Sequence, residues 1–248
     1  MALIGQWRYT LVTDKMSAAM QIAKRVYFLA QKQNDAALMI GACRALAGTF
    51  YYSGDFASAR QYAMRGVQIW RLGNVQSLEQ DQHTPTVGCL CYAAMSEWQF
   101  GEIASAQANM AEAISLAKEL NDTNALVHAL VWAANLALYE RDPAEVARLA
   151  SEVIELSTRH NFAYWLALGA IWRGWALSAS GNTADGIPWI EHGMRDYRAT
   201  GSVGVASHLV RKAEALYLAD RTSEALEAIS EAEALAERFE QRGLRLNS

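Results

Sequence analysis

The five histidines, His83, His128, His160, His192 and His208, are the first residues to test for chemistry, because imidazole can hold a metal or shuttle a proton near neutral pH. Their spacing serves neither role: none stands in an H-E-x-x-H arrangement or in another zinc-ligand pattern. His83 is expected to lie in a polar linker, where it could act as a lone ligand or switch. Gly169-Ala-Ile-Trp-Arg-Gly174 imitates the glycine spacing of a phosphate-binding loop, but no Lys-Ser/Thr follows and the stretch reads as helix. No G-x-S-x-G nucleophile motif occurs. Carboxylates are plentiful, yet they fall on polar helix faces, with no shared apolar pocket to shift a pKa. With no residue set that could carry a reaction, the chain is expected to be non-catalytic and to need no metal or cofactor.

Cys43, Cys89 and Cys91 are odd in number and sit in apolar stretches, which suggests reduced thiols in a cytoplasmic protein. Two cysteines separated by one residue on a helix point about 200° apart, a poor disulfide or metal pair, so small core residues are expected. The net charge is -4 with acids and bases interspersed, which disfavours a nucleic-acid or anionic-membrane surface. The most apolar runs, Ala125 to Tyr139 and Ala163 to Ala179, are interrupted by His128, Asn135 and Arg173 and fall short of the ~20 apolar residues of a membrane span. No secretory leader is read at the start.

These residues must be positioned by helices. Only 3 prolines occur, alternating β-branched runs are absent, and Ala, Leu, Glu and Gln abound. Turn marks fall at Thr13, Gly54, Gly101, Arg141, Gly181 and Asp220, roughly forty residues apart, the period of a helical-repeat array. Seven places before the last five marks stand Ala47, Ala94, Ala134, Gly174 and Ala213. Five places after stand Ala59, Ala106, Val146, Gly186 and Ala225. Twelve after stand Gly66, Ala113, Val153, Gly193 and Ala232. Helices that cross closely need small side chains at the crossing, so each mark should join two antiparallel helices into a hairpin. The Thr13 unit keeps the pattern only at Ala18 and reads as a worn end.

Asp55, Asp122 or Thr123, Asp142, Asn182 or Thr183, and Thr222 are the expected N-caps, with Pro143 at a first helical position. Pro188 should mark a later helix start near Asp185 or a bend. Leu226, Ile229, Ala232, Ala236 and Phe239 should form the buried face of the last helix, with Glu227, Glu231, Glu237 and Glu240 on its solvated faces. Residues 73–85, poor in apolar side chains, are expected to form one long loop.

Hairpins repeating on G-x-x-x-x-A (Gly54 to Ala59, Gly101 to Ala106), with a small residue in the preceding helix, resemble the tetratricopeptide repeat (TPR). The units here run longer than the 34 residues of that repeat. Thr86-VGCLCYAAMSEWQFGE-Ile103 and the stretch from Asn161 to Ile187 are similar to the C-terminal repeat region of bacterial multidomain regulators. In those proteins the repeats follow a nucleotide cyclase or other output domain and a signal-transduction ATPase. No cyclase or ATPase sequence is present in this chain. The resemblance implies an all-α, right-handed α-α superhelix, a TPR-like solenoid of about five hairpins plus a partial first unit, spanning residues 1–248 as one repeat domain. It also implies a regulatory or scaffolding segment of a bacterial signalling protein, acting through protein–protein interaction. With no capping helix read after Glu240, the chain is expected to be a fragment or to dock through that end.

In a TPR-like stack the first helix of each pair lines a concave groove. Tyr92, Trp132 and Trp172 stand nine places before successive marks, and Met95, Asn135 and Trp175 six before. As a ladder along the groove they would grip a protein or peptide partner. Asn135 would bond a peptide backbone, and Arg44 or Arg173 a carboxylate. The opposing expectation is that the rings pack between adjacent repeats. Two other functions stay open. One is a small-molecule sensor, with a closed apolar pocket near Trp132, Trp172 and Trp175 shut by the 73–85 loop. The other is self-association through Leu235, Phe239 and Leu244 at the uncapped C-terminal end.

Overall fold

The computed structural model describes residues 2–13, 15–73, 83–201 and 203–238. Those residues form α-helices and short turns, with no strand among them. The helices are α1 (Ala2–Val12), α2 (Met16–Gln33), α3 (Ala36–Tyr52), α4 (Phe56–Leu72), α5 (His83–Gln99), α6 (Ile103–Glu119), α7 (Thr123–Tyr139), α8 (Pro143–His160), α9 (Ala163–Ala179), α10 (Thr183–Thr200), α11 (Val205–Leu218) and α12 (Thr222–Arg238). Helices α1/α2, α3/α4, α5/α6, α9/α10 and α11/α12 pair as hairpins, the odd-numbered helix first. Two compact units divide the chain, Met1–Ala129 and Leu130–Ser248, with the boundary inside α7. Within each unit neighbouring helices pack in chain order, and first helices touch as well, α1 on α3, α3 on α5, and α9 on α11.

Five of the first helices, α3, α5, α7, α9 and α11, end the same way. Gly54, Gly101, Arg141, Gly181 and Asp220, the last five predicted marks, all have positive φ, from 58° to 93°. This left-handed residue lets the chain reverse while its neighbours' N–H groups satisfy the last carbonyls of the helix. Between hairpins Asn34, Asn121 and Asn161 take the same conformation, which asparagine tolerates better than other side chains. The next helix is then capped. Asp35, Asp55, Asp122 and Asp142 each accept a backbone N–H three residues on, at 2.9 to 3.0 Å, and Asn182 does so at 3.3 Å.

All fifteen predicted close-approach positions are buried. In unit 2 the α9/α10 crossing is the tightest kind. A Cβ on Gly174 would stand 2.6 Å from the carbonyl oxygen of Gly186 and 2.7 Å from the amide of Ile190. At the other end of the same pair, a Cβ on Gly193 would meet the carbonyl of Ala167 at 2.7 Å. Backbone atoms crowd each of these positions together with the Ile190 or Ile171 side chain, so only glycine fits without moving a helix.

Four local expectations are corrected. Helix α5 begins at His83, so His83 and Pro85 belong to its first turn and not to a loop, and a proline there forfeits no intrahelical bond. Residues 74–82 of the expected linker lie outside the described residues. Helix α10 starts at Thr183 and runs through Pro188, which excludes the later start near Asp185, one of the two alternatives for that proline. Thr222 is the first residue of α12, not its cap, and Arg221 precedes it with its guanidinium on Glu224. The buried face of α12 is Ala225, Ala228 and Ala232, which turns Leu226 outward at 63% exposure. A helix advances about 100° per residue, so the crossing alanines displace their C-terminal neighbour from the core.

Cys43, Cys89 and Cys91 are buried and in no disulfide. The Cys89 sulfur and the Cys43 Cβ press against Gly66 of α4. Burial pushes the thiols of Cys43 and Cys91 up to about 12 and that of Cys89 well above its ordinary value. A thiol that ionises so poorly is a weak nucleophile. In native protein at pH 8, Ellman's reagent is therefore expected to leave the cysteines unmodified for as long as the fold persists, and to titrate all 3 after denaturation. Rapid reaction of any of them in the folded chain would contradict the assigned core role.

Candidate binding surface on the first helices

The predicted groove residues all lie on first helices. Arg44 is on α3, Tyr92 and Met95 on α5, Trp132 and Asn135 on α7, and Trp172 and Trp175 on α9. Their exposure decides how they are used. Tyr92 is 4% exposed, Met95 0%, Trp132 8%, Asn135 6%, Trp172 3% and Trp175 1%. Arg44 alone is half-buried. The aromatic residues are packed and not displayed.

The partners of Tyr92, Trp172 and Trp175 are residues of an adjacent hairpin, and that of Asn135 lies two hairpins on. In unit 1 the Tyr92 ring covers Gly48 of α3, where a Cβ would stand 2.9 Å from its hydroxyl, and lies 5.8 Å from the Tyr51 ring. In unit 2 the Trp175 indole donates to Glu214 of α11 at 2.9 Å, and Arg141 binds the same carboxylate at 2.6 Å. Arg211, also on α11, lies with its guanidinium 4.3 Å from the Trp172 ring centre and donates to the Asn135 side chain at 2.6 Å. A buried guanidinium is costly in an apolar setting, and an aromatic face with an amide oxygen offsets part of that cost. His208 completes this layer, edge-on to Trp172 at 5.7 Å and to Tyr197 at 5.0 Å. Burial, then the positive charge of Arg211, holds His208 well below the usual histidine range, so it is neutral.

Arg173, the alternative carboxylate ligand, faces the second helix of its own hairpin, 5.1 Å from the Trp189 ring of α10. Arg211 is a residue that sequence reasoning missed, although it stands nine places before Asp220 and so continues the register of Tyr92, Trp132 and Trp172. Arg8, on α1, is a second omission. It follows Trp7, which holds the six-before position relative to Thr13 that Trp175 holds relative to Gly181. The Trp7 indole donates to the Thr49 hydroxyl of α3 at 3.0 Å, and the Arg44 guanidinium lies 5.8 Å from the Trp7 ring. At the other end of the chain, Leu235 is half-buried, while Phe239 and Leu244, named for self-association, lie outside the described residues. Among the described residues no helix is long and apolar enough to cross a membrane.

Comparison with known proteins agrees with this architecture. The family described as anaphase-promoting complex subunit 5 matches residues 75–139. No curated protein matches the chain. Among solved structures, a Rap protein complexed with Competence and Sporulation Factor superposes with a TM-score of 0.69 at 12% identity, covering 97% of this chain and 76% of its own. The apo form of RapI gives 0.63 at 11% identity, covering 95% and 98%. BtubC (BKLC) from P. vanneervenii gives 0.57 at 14%, covering 100% and 95%. At such identities the likeness establishes the fold, an all-α helical-repeat fold of TPR type.

Proposed function

We propose that this chain is a non-catalytic binding module for a protein or peptide partner, serving as the regulatory repeat segment of a bacterial signalling protein in the cytoplasm. The observation that carries the reading is the fold itself. Helical hairpins repeat through both units, and the same fold in a Rap protein holds the Competence and Sporulation Factor. A rigid array presents its surface already formed, so little ordering entropy opposes association. In this reading the partner-facing elements are the first helices of each unit taken by itself, α3 and α5 in unit 1 and α9 in unit 2. Arg44 supplies an accessible charged contact. Asn135, Tyr92, Met95, Trp132, Trp172 and Trp175 form the packed backing that holds those helices in place. Neither nucleic acid nor a membrane is the partner, given the interspersed charges.

The test is a selection from a phage-displayed peptide library with the purified chain, followed by hydrogen exchange on the best complex. Enrichment of a common peptide motif is expected, with protection concentrated on the first helices and binding weakened by Arg44→Gln. Failure to enrich any sequence, or protection confined to the second helices α4, α6, α8 and α10, would rule the proposal out.

A further inference from the structure

In each unit one exposed ion pair joins a second helix to the second helix of the following hairpin at the same two positions. In unit 1 Arg71, the sixteenth residue of α4, meets Glu112, the tenth of α6, at 2.6 Å. In unit 2 Arg198, the sixteenth residue of α10, meets Glu231, the tenth of α12, at 2.6 Å. Exposed pairs contribute little energy, but these two report geometry. The sixteenth position of a second helix looks toward the hairpin that follows, and the tenth toward the hairpin before.

The sixteenth residue of α12 is Glu237 and the tenth of α2 is Arg25, and both are exposed. Their signs are the reverse of the two pairs above, yet opposite to each other. The rest of each helix keeps the same sign. Lys24, Arg25 and Lys32 stand in α2 with no acid among them, and α12 has five glutamates against Arg238. At 3.6 residues per turn Leu226, Glu233 and Glu237 fall within about 40° of one another around α12, and Glu231, which holds α10, stands about 140° round from Leu226. Leu226 is exposed on this flank, whereas Ile187, in the same fifth position of α10, is buried.

We infer that a second copy of this chain docks head to tail, its α1/α2 hairpin seated on the α11/α12 hairpin of the first as a following repeat would be. Arg25 of one copy then meets Glu237 of the other, and Leu226 is covered. The two patches differ, so the contact does not close as a two-fold pair, and each copy added leaves a flank for the next. One hairpin face on another is a small interface, which makes the association weak and transient. The contact is built on α2 and α12 and stands whether or not the first helices hold a peptide.

The test is sedimentation velocity of the whole chain between about 5 and 500 µM, the range of weak interfaces. The mean mass is expected to climb steadily with concentration and to fall back at high salt, which screens exposed charges. Arg25→Glu or Glu237→Arg alone should weaken association roughly tenfold or more, because each sets like charges opposite one another. Both residues are exposed, so at the lowest concentration Tm should stay that of the parent. An equimolar mixture of the two variants should regain association, since each offers the other a complementary flank, and so should one chain carrying both changes. Glu155→Arg, on α8, should change nothing. A mass that stops at twice the chain, single variants that associate like the parent, or a mixture without rescue would overturn the proposal. A monomer at every concentration would overturn it too, and a fall in Tm with Glu237→Arg alone would then assign this flank to the chain's own C-terminal residues.

Discussion

Replacing Gly186 with valine is expected to destabilise unit 2 by roughly 3 kcal/mol or more and to lower Tm by about 10 °C. The added Cβ would stand 2.6 Å from the carbonyl oxygen of Gly174 and 2.8 Å from the amide of Ser178. Neither atom is the end of a flexible side chain. To relieve the overlap α9 and α10 must separate, which also loosens Ile190 and Ile171 packed along the same seam. Overpacking of side chains against side chains commonly costs about 1–3 kcal/mol, and a backbone neighbour leaves less room to yield. Gly5 supplies the contrast. It is exposed in α1 with nothing within 4 Å of an added Cβ, so Gly5→Ala should stabilise the helix by up to about 1 kcal/mol. Urea unfolding of the two variants beside the parent decides the matter. A Gly186→Val chain as stable as the parent would mean that the two helices do not meet at these glycines.

The second large effect is expected from pH. His128 in unit 1 and His208 in unit 2 are buried, and burial followed by neighbouring arginines holds both well below the usual histidine range. At pH 7.5 both are neutral folded or unfolded, so they contribute nothing to the difference. As pH falls through about 6.5 the unfolded chain takes up protons that the folded chain refuses, and stability declines. The loss is about 1.4 kcal/mol per histidine at pH 5.5, or about 3 kcal/mol if both act, and it continues until the folded pKa is reached. Urea midpoints at pH 7.5 and 5.5 measure it, and His208→Asn should remove the share that belongs to unit 2. Equal midpoints at the two pH values would show that one or both rings take up a proton in the folded protein without penalty.

Much of the architecture could be read from residue types because the physics involved is local. A left-handed turn residue restricts the choice to glycine and a few polar side chains, and a close helix crossing restricts it to small ones. Both marks therefore survive in the sequence as a period, and each of the five marks that carried it falls on a left-handed residue. The contents of the first-helix surface were less legible. Tyr92, Trp172 and Trp175 share the period of the repeats, but periodicity tells which face a ring is on, not what covers it. Their cover comes from a neighbouring first helix, the preceding one for Tyr92 through Gly48 and the following one for Trp172 and Trp175 through Arg211 and Glu214, residues distant in the chain and different in kind at each level. Arg8 escaped notice for a related reason. It belongs to the first repeat, where the small-residue pattern is worn. Leu226 failed because an apolar side chain on α12 was assumed to point inward when the alanine beside it does.

Arg141 and Arg211 carry a thermodynamic consequence. A repeat array whose modules touch only their neighbours behaves as a linear chain of coupled spins, in which an end module can fray alone. In unit 2, however, Arg141 at the end of α7 reaches Glu214 on α11, and Arg211 on α11 returns to Asn135 on α7, both bypassing the intervening α9. Melting of the final hairpin thus withdraws support two modules back, leaving the Asn135 amide and the Trp175 indole without their acceptor or donor in a water-poor setting. Partial unfolding is penalised twice, and the transition of this unit is sharpened toward all-or-none.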